Sequence, residues 1–262
     1  MSLRRYAVPI AALASAVSLG VAGPAAATHD FRYTSPNDGG GNAPLGGRTI
    51  VIDPGHQLGN HNFPRKINRP VPAGGFRKPC NTTGTATNDN YAEHAYTWDV
   101  SRRLSKILKA QGAKVILTRP NDTGVGPCVD VRAKIANRAH ADASLSIHGD
   151  GAPAKDHGFH VIEPAVLKGY NNKIQPQSLK LGLDIRNAYH AGTGIPFANY
   201  IGSGNGLNVR SDLGGLNVAK VPAVMIEAGN MRNAGDAAKM KSPAQRQKMA
   251  EALAQGLVKF LT

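Results

Sequence analysis

Arg48-Thr49-Ile50-Val51-Ile52-Asp53-Pro54-Gly55-His56 is a short apolar, β-branched run that stops at a proline-glycine turn and hands over a histidine. Such a run with such punctuation predicts a buried strand, with His56 just past its carboxyl end. The same order recurs twice. Ala143-Ser-Leu-Ser-Ile147 runs into His148-Gly149-Asp150-Gly151, and Ala223-Val-Met-Ile226 runs into Glu227-Ala228-Gly229. In open α/β sheets, sites gather beyond the carboxyl ends of the strands, so these three side chains are expected to converge.

The rest of the chain supplies the other elements. A helix is expected over 90–110, with Val100, Leu104, Ile107 and Leu108 on its apolar face and Gly112 as its stop. Lys114 to Thr118 reads as the second core strand. Asp130 to His140 reads as a short helix with Val131, Ile135 and Ala139 on one side. Gly158 to Ile162 reads as a strand neighbouring Ala143–Ile147, and a helix near 177–190 follows from Leu179, Leu183 and Ile185. Residues 192–215 read as loop or hairpin, and Pro243 to Leu261 as a closing helix started by Ser242-Pro243. Strands alternating with helices predict one α/β domain over 48–262, a twisted, mostly parallel sheet with helices on both faces and the site at the strands' carboxyl ends. The long polar 56–90 stretch is expected to be a functional loop.

Residues 1–27 form a separate object: Arg4 and Arg5, an apolar Ala7 to Ala22, then Ala25-Ala26-Ala27. That order is a secretory signal with an A-x-A cleavage site, its apolar core short of the roughly 20 residues that span a bilayer. The mature protein is therefore expected to be exported, without a stable membrane anchor, and residues 28–47 to form a flexible leader. The whole chain carries 31 basic and 17 acidic residues; losing Arg4 and Arg5 leaves a net charge of +12. For an exported protein this excess points to anionic wall polymers or lipid headgroups and away from nucleic acid. In an oxidising compartment, the two cysteines, Cys80 and Cys128, are expected to form a disulfide.

Hydrolytic zinc usually takes three ligands from His, Asp, Glu or Cys and leaves one position for water. His56, Glu93 and His148 would make such a set, with Glu227 left to accept the water's proton and later protonate a leaving nitrogen. Spacing alone leaves Glu93 open. It lies on the buried stripe of its helix, as a ligand would, yet Asn90-x-x-Glu93 also resembles a capping box. His61, His94, His140, His157, His160 and His190 read as surface or locally satisfied residues, His61 and His157 being the least firmly excluded. Gly202-Ser-Gly-Asn-Gly206 is no G-x-S-x-G elbow, and neither a P-loop nor H-E-x-x-H occurs.

Val51-Ile-Asp-Pro-Gly-His56, Glu93 in its helix, Thr118-Arg119, Arg132 to Asn137, Ser146-Ile-His148 and Val221-Pro-Ala-Val-Met-Ile-Glu227-Ala-Gly together resemble the zinc-dependent N-acetylmuramoyl-L-alanine amidases of the amidase_3 group. The resemblance runs from about Arg48 to the C-terminus and is greatest to the short mycobacterial members, which have a catalytic domain alone. It implies His56, Glu93 and His148 as zinc ligands, so it decides Glu93 for ligand, and it implies Glu227 as the catalytic carboxylate. The implied substrate is the amide between the lactyl group of N-acetylmuramic acid and L-alanine, in peptidoglycan or its muramoyl-peptide fragments. Two departures bear on groove shape: Gln57-Leu58-Gly59 stands where the family has a Gly-Gly run, and Gly149-Asp150 where it has a small residue and Asn. No site-plugging apolar helix is expected between 163 and 215, so the enzyme is expected to need no activator; it is also expected to be a monomer. A zinc peptidase cutting elsewhere in the stem peptide and a non-catalytic wall-binding protein are the alternatives.

Overall fold

The computed structural model describes residues 43–262. The expected signal and most of the expected leader lie outside them. The leader's last residues, 43–47, form a turn; Leu45 is buried in the main core and its amide donates to the Gln111 carbonyl at 3.0 Å, so the packed domain takes in residues ahead of Arg48.

In chain order the elements are β1 (Thr49–Pro54), α1 (Pro64–Ile67), β2 (Pro70–Pro72), β3 (Arg77–Pro79), α2 (Glu93–Ala110), β4 (Lys114–Leu117), α3 (Val129–Arg138), β5 (Ala143–Asp150), β6 (His160–Pro164), α4 (Gln175–Thr193), β7 (Leu207–Arg210), α5 (Gly214–Asn217), β8 (Ala223–Asn230), α6 (Ala234–Lys241) and α7 (Pro243–Leu261). Six strands make one sheet in the order β4-β1-β5-β8-β6-β7, and β2 and β3 form a separate antiparallel pair within the 56–90 loop. From β4 to β8 all neighbours are parallel, whereas β6 runs antiparallel to β8 and carries β7 parallel to itself.

The sheet is mostly parallel, as expected, but β6 does not neighbour β5. A parallel crossover needs a dozen or more residues, so the short 151–159 link reverses the chain and β6 runs opposite to β5. The free edge of β5 is taken by β8, whose apolar run matches its own. β6 therefore lies on the far side of β8.

Alternation along the strands sorts residues to two faces. Ile50, Ile52, Leu145, Ile147, Val224 and Ile226 pack with α2, α4 and α7 in the main core. The residues between them, among them Asp53, Ser146, His148 and Glu227, face the side covered by α3 and α5. α2 buries Tyr96, Val100, Leu104 and Leu108 at four-residue spacing, and Gly112, with φ 91°, lies just past its end. α7 starts as the sequence suggests, the Ser242 side chain accepting from the Gln245 amide and Pro243 standing in the first turn.

Two helices are turned relative to expectation. In α3, Val131 is 39% exposed while Arg132, Ala133 and Ala136 are buried, because the Arg132 guanidinium is paired beneath the site. In α4, Leu181, Ile185 and Tyr189 make the buried stripe, whereas Leu179 is exposed. α6 was not expected; it is capped by the Asn233 side chain, which accepts from the Gly235 and Asp236 amides. Among the described residues no helix is long and apolar enough to cross a membrane.

Candidate metal centre

The Gly55 amide still donates to the Ile147 carbonyl at 3.0 Å, and the chain then turns at His56 with φ 56°. A non-glycine residue in the left-handed region has to be held there. Two arginines hold it. Arg132 donates from Nη1 to the Pro54 carbonyl at 2.6 Å and from Nη2 to the His56 carbonyl at 3.0 Å. Arg119, fully buried, donates from Nε to the Pro54 carbonyl at 3.0 Å. Burial lowers the Arg119 pKa to about 10 against the pull of Asp122, which leaves it cationic at neutral pH.

Behind the turn, Asp53 accepts from Arg132 Nη1 at 2.6 Å, Thr118 Oγ1 at 2.5 Å and Ser146 Oγ at 2.7 Å. Burial alone would raise its pKa, but the Arg132 charge and these hydroxyls bring it down to about 2.

His56 Nδ1 lies 3.1 Å from the Thr82 carbonyl, which orients the ring and leaves Nε2 facing Glu93 Oε1 at 3.1 Å. His148 Nδ1 lies 2.9 Å from the same oxygen. The two rings are 4.9 Å apart between centroids and nearly perpendicular. Glu93 is buried and completes its bonding with backbone amides, Oε2 accepting from Thr85 at 2.9 Å and Oε1 from Gly149 at 3.1 Å. Burial would raise its pKa, yet His56 and His148 outweigh that and lower it; for His56, burial would lower the pKa and Glu93 raises it instead. Nothing here caps the helix, whose N-cap is Ala92.

His56, Glu93 and His148 form the one cluster of three such side chains among the described residues, with ligand atoms within 4.8 Å of one another. Two imidazole nitrogens and one carboxylate, with the outer nitrogen of His56 bonded to a carbonyl, suit a tetrahedral divalent ion that keeps one position open. Glycines make the room. A Cβ on Gly55 would come within 2.4 Å of the His148 ring, and one on Gly84 within 2.8 Å of the His56 ring.

Glu227 is the register partner of His148 on β8 and lines the same cleft, which has a volume of about 400 Å³. Its Oε2 is buried without a hydrogen-bond partner. Burial, then the Glu93 and Asp150 charges, push its pKa well above the usual carboxylate range. The inner wall is apolar, built from Ala133, Ala136, Leu216 and Met225. The Cys80–Cys128 disulfide ties the end of the β2–β3 hairpin to the start of α3, two residues before Thr82.

All four expected site residues thus border one cleft. Of the other histidines among the described residues, His61 and His140 are exposed, His157 is half-buried, and His94 and His190 bond to Asp122 and to the Ile195 carbonyl. His160 departs from expectation, being 1% exposed with Nδ1 unpaired. Asp53, Arg119 and Arg132 stood in the quoted motifs without an assigned role; a basic residue beside small apolar ones on a short helix was the available signal.

The N-acetylmuramoyl-L-alanine amidase family profile matches residues 50–259. The chain belongs to this family. N-acetylmuramoyl-L-alanine amidase Rv3717 of Mycobacterium tuberculosis is 44% identical over 221 residues, covering 84% of this chain and 88% of that protein. Among solved structures, the N-acetylmuramyl-L-alanine amidase Ami1 of Mycobacterium smegmatis superposes with a TM-score of 0.77 at 43% identity, over 83% of this chain and 98% of that one. The apo form of Ami1 from Mycobacterium abscessus gives the same score and identity over 83% of this chain and all of that one. His56, Glu93, His148 and Glu227 all fall inside the matched span.

Proposed function

We propose that this chain hydrolyses the amide joining N-acetylmuramic acid to L-alanine in peptidoglycan or its fragments, with zinc held by His56, Glu93 and His148 and with Glu227 as general base. The carrying observation is the meeting of His56 and His148 on one Glu93 oxygen, at 3.1 and 2.9 Å, in a cleft that Glu227 also lines. Zinc bound there supplies Lewis acidity toward the scissile carbonyl and an acidified water. The protein's own part is positional. Glu227 takes the proton of the attacking water and delivers it to the departing L-alanine nitrogen, so the lactyl carboxylate and a free amine are the products.

The net charge of +12 left without residues 1–27 suits an anionic wall polymer as substrate, and the signal-like 1–27 segment suits export to it. α4 packs against α7 and supplies no residue to the cleft lining, so that helix leaves the cleft open to substrate.

Mass analysis of the fragments released from a muramoyl-pentapeptide tests the bond. An intact peptide beginning with a free L-alanine amine is expected; a shortened peptide would move the chain to the stem-peptide peptidases. Glu227→Ala is expected to keep its zinc and to lose turnover by about 10²–10⁴-fold. Equal binding of wall material by wild type and Glu227→Ala, with turnover by neither, would favour a binding protein.

A further inference from the structure

Glu227 stands between two histidines in one row across the sheet. It pairs with His148 on β5 and with His160 on β6, and directly opposed residues point to the same face. The first histidine belongs to the metal set. The second does not line the cleft and is 1% exposed.

Two buried polar atoms on this paired couple lack partners, His160 Nδ1 and Glu227 Oε2. Buried polar groups are normally bonded, and an imidazole nitrogen and a carboxylate oxygen are complementary as donor and acceptor. Tyr200 stands edge-on to His160, centroids 6.1 Å apart at 88°, and its hydroxyl donates to Asp150 Oδ2 at 2.8 Å. Burial brings the His160 pKa down to about 4, against the pull of Asp150, so the ring is neutral and carries one N–H.

We propose that His160 is a positioning residue for Glu227: its imidazole N–H donates to a bridging water that donates in turn to Glu227 Oε2, and so aims the other carboxylate oxygen into the cleft. This rests on the reading of Glu227 as the base. The ring touches neither metal nor substrate; it acts by restricting the carboxylate to one orientation, since a displacement of about 1 Å at a reacting group costs on the order of 10²-fold in rate.

The test compares His160→Leu, which removes the donor while keeping an apolar filling, with His160→Gln, which keeps an N–H. For His160→Leu, kcat on a muramoyl-peptide is expected to fall about 10–100-fold, with KM, zinc content and melting temperature near wild type, and His160→Gln is expected to recover most of the loss. In a Glu227→Gln background, His160→Leu is expected to add nothing. Independently of activity, crystal structures are expected to show the Glu227 carboxylate in one orientation in wild type and in several in His160→Leu. A His160→Leu kcat within about twofold of wild type, a Gln variant as impaired as the Leu variant, or an unchanged Glu227 orientation would each overturn the proposal. Absence of muramoyl-amide cleavage by wild type would count against the amidase reading instead, and the crystallographic comparison would still decide the role of His160.

Discussion

Arg132 Nη1 lies 2.6 Å from Asp53 Oδ1, and the same guanidinium bonds the Pro54 and His56 carbonyls, so one buried ion pair holds the turn that presents His56. The side chains are 5% and 16% exposed, and removing one partner strands the other in a low-dielectric setting. Breaking such a pair costs about 3–5 kcal/mol. Arg132→Met is therefore expected to lower stability by that order in urea unfolding, and the Asp53→Asn, Arg132→Met double variant by less than the sum of the single losses.

The same pair sets an acid limit. Asp53 has a pKa of about 2 in the fold against an ordinary 3.8. A depressed carboxylate pKa contributes stability that is fully present above the unfolded value and is lost as pH falls through the folded one. The contribution is about 2 kcal/mol, present above roughly pH 4 and gone near pH 2. Urea midpoints measured from pH 5 to pH 2 are expected to fall more steeply for wild type than for Asp53→Asn.

Much of this arrangement was legible in the sequence, and for a physical reason. A buried parallel strand reads as an unbroken apolar run, so a polar residue at its end stands out, as His56, His148 and Glu227 do. Glu93 was ambiguous, because a first-turn carboxylate serves a cap or a site equally well. Arg132 is hidden by its charge: a periodicity argument puts arginine outside and Val131 inside, and the fold has the reverse. His160 was hidden by topology. With β6 imagined beside β5, nothing placed it opposite Glu227; the short 151–159 link and the claim of β8 on β5 are relations between distant segments. α6 left little trace, since its eight residues carry no clear apolar period and only the Asn233 cap marks its start.

The Cys80–Cys128 disulfide closes a separation of 48 residues, which in the chain-entropy model stabilises the fold by about 4 kcal/mol. It also anchors the segment whose Thr82 carbonyl orients His56. Replacing both cysteines by serine is expected to lower the melting temperature and to weaken metal affinity by about 10-fold, the loss typical when a ligand's supporting bond is released. Calorimetry and competition with a chelating dye would read the two effects separately.

Gly55 offers a steric test of the centre. A Cβ there would meet His148 Cε1 at 2.4 Å, while nothing in the backbone angle forbids alanine. Gly55→Ala is expected to displace the His148 ring and reduce metal affinity more than about 10-fold, with the far-ultraviolet circular dichroism unchanged. Wild-type affinity in this variant would show that His148 does not sit where the cleft places it.

The most direct measurement is zinc titration of the chelated enzyme, with metal content and muramoyl-L-alanine cleavage followed in the same samples. The account predicts that turnover vanishes on chelation and returns in proportion to zinc up to one ion per chain, and that His56→Ala and His148→Ala neither bind the ion nor recover. Full cleavage by chain stripped of metal, or recovery in either histidine variant, would contradict it.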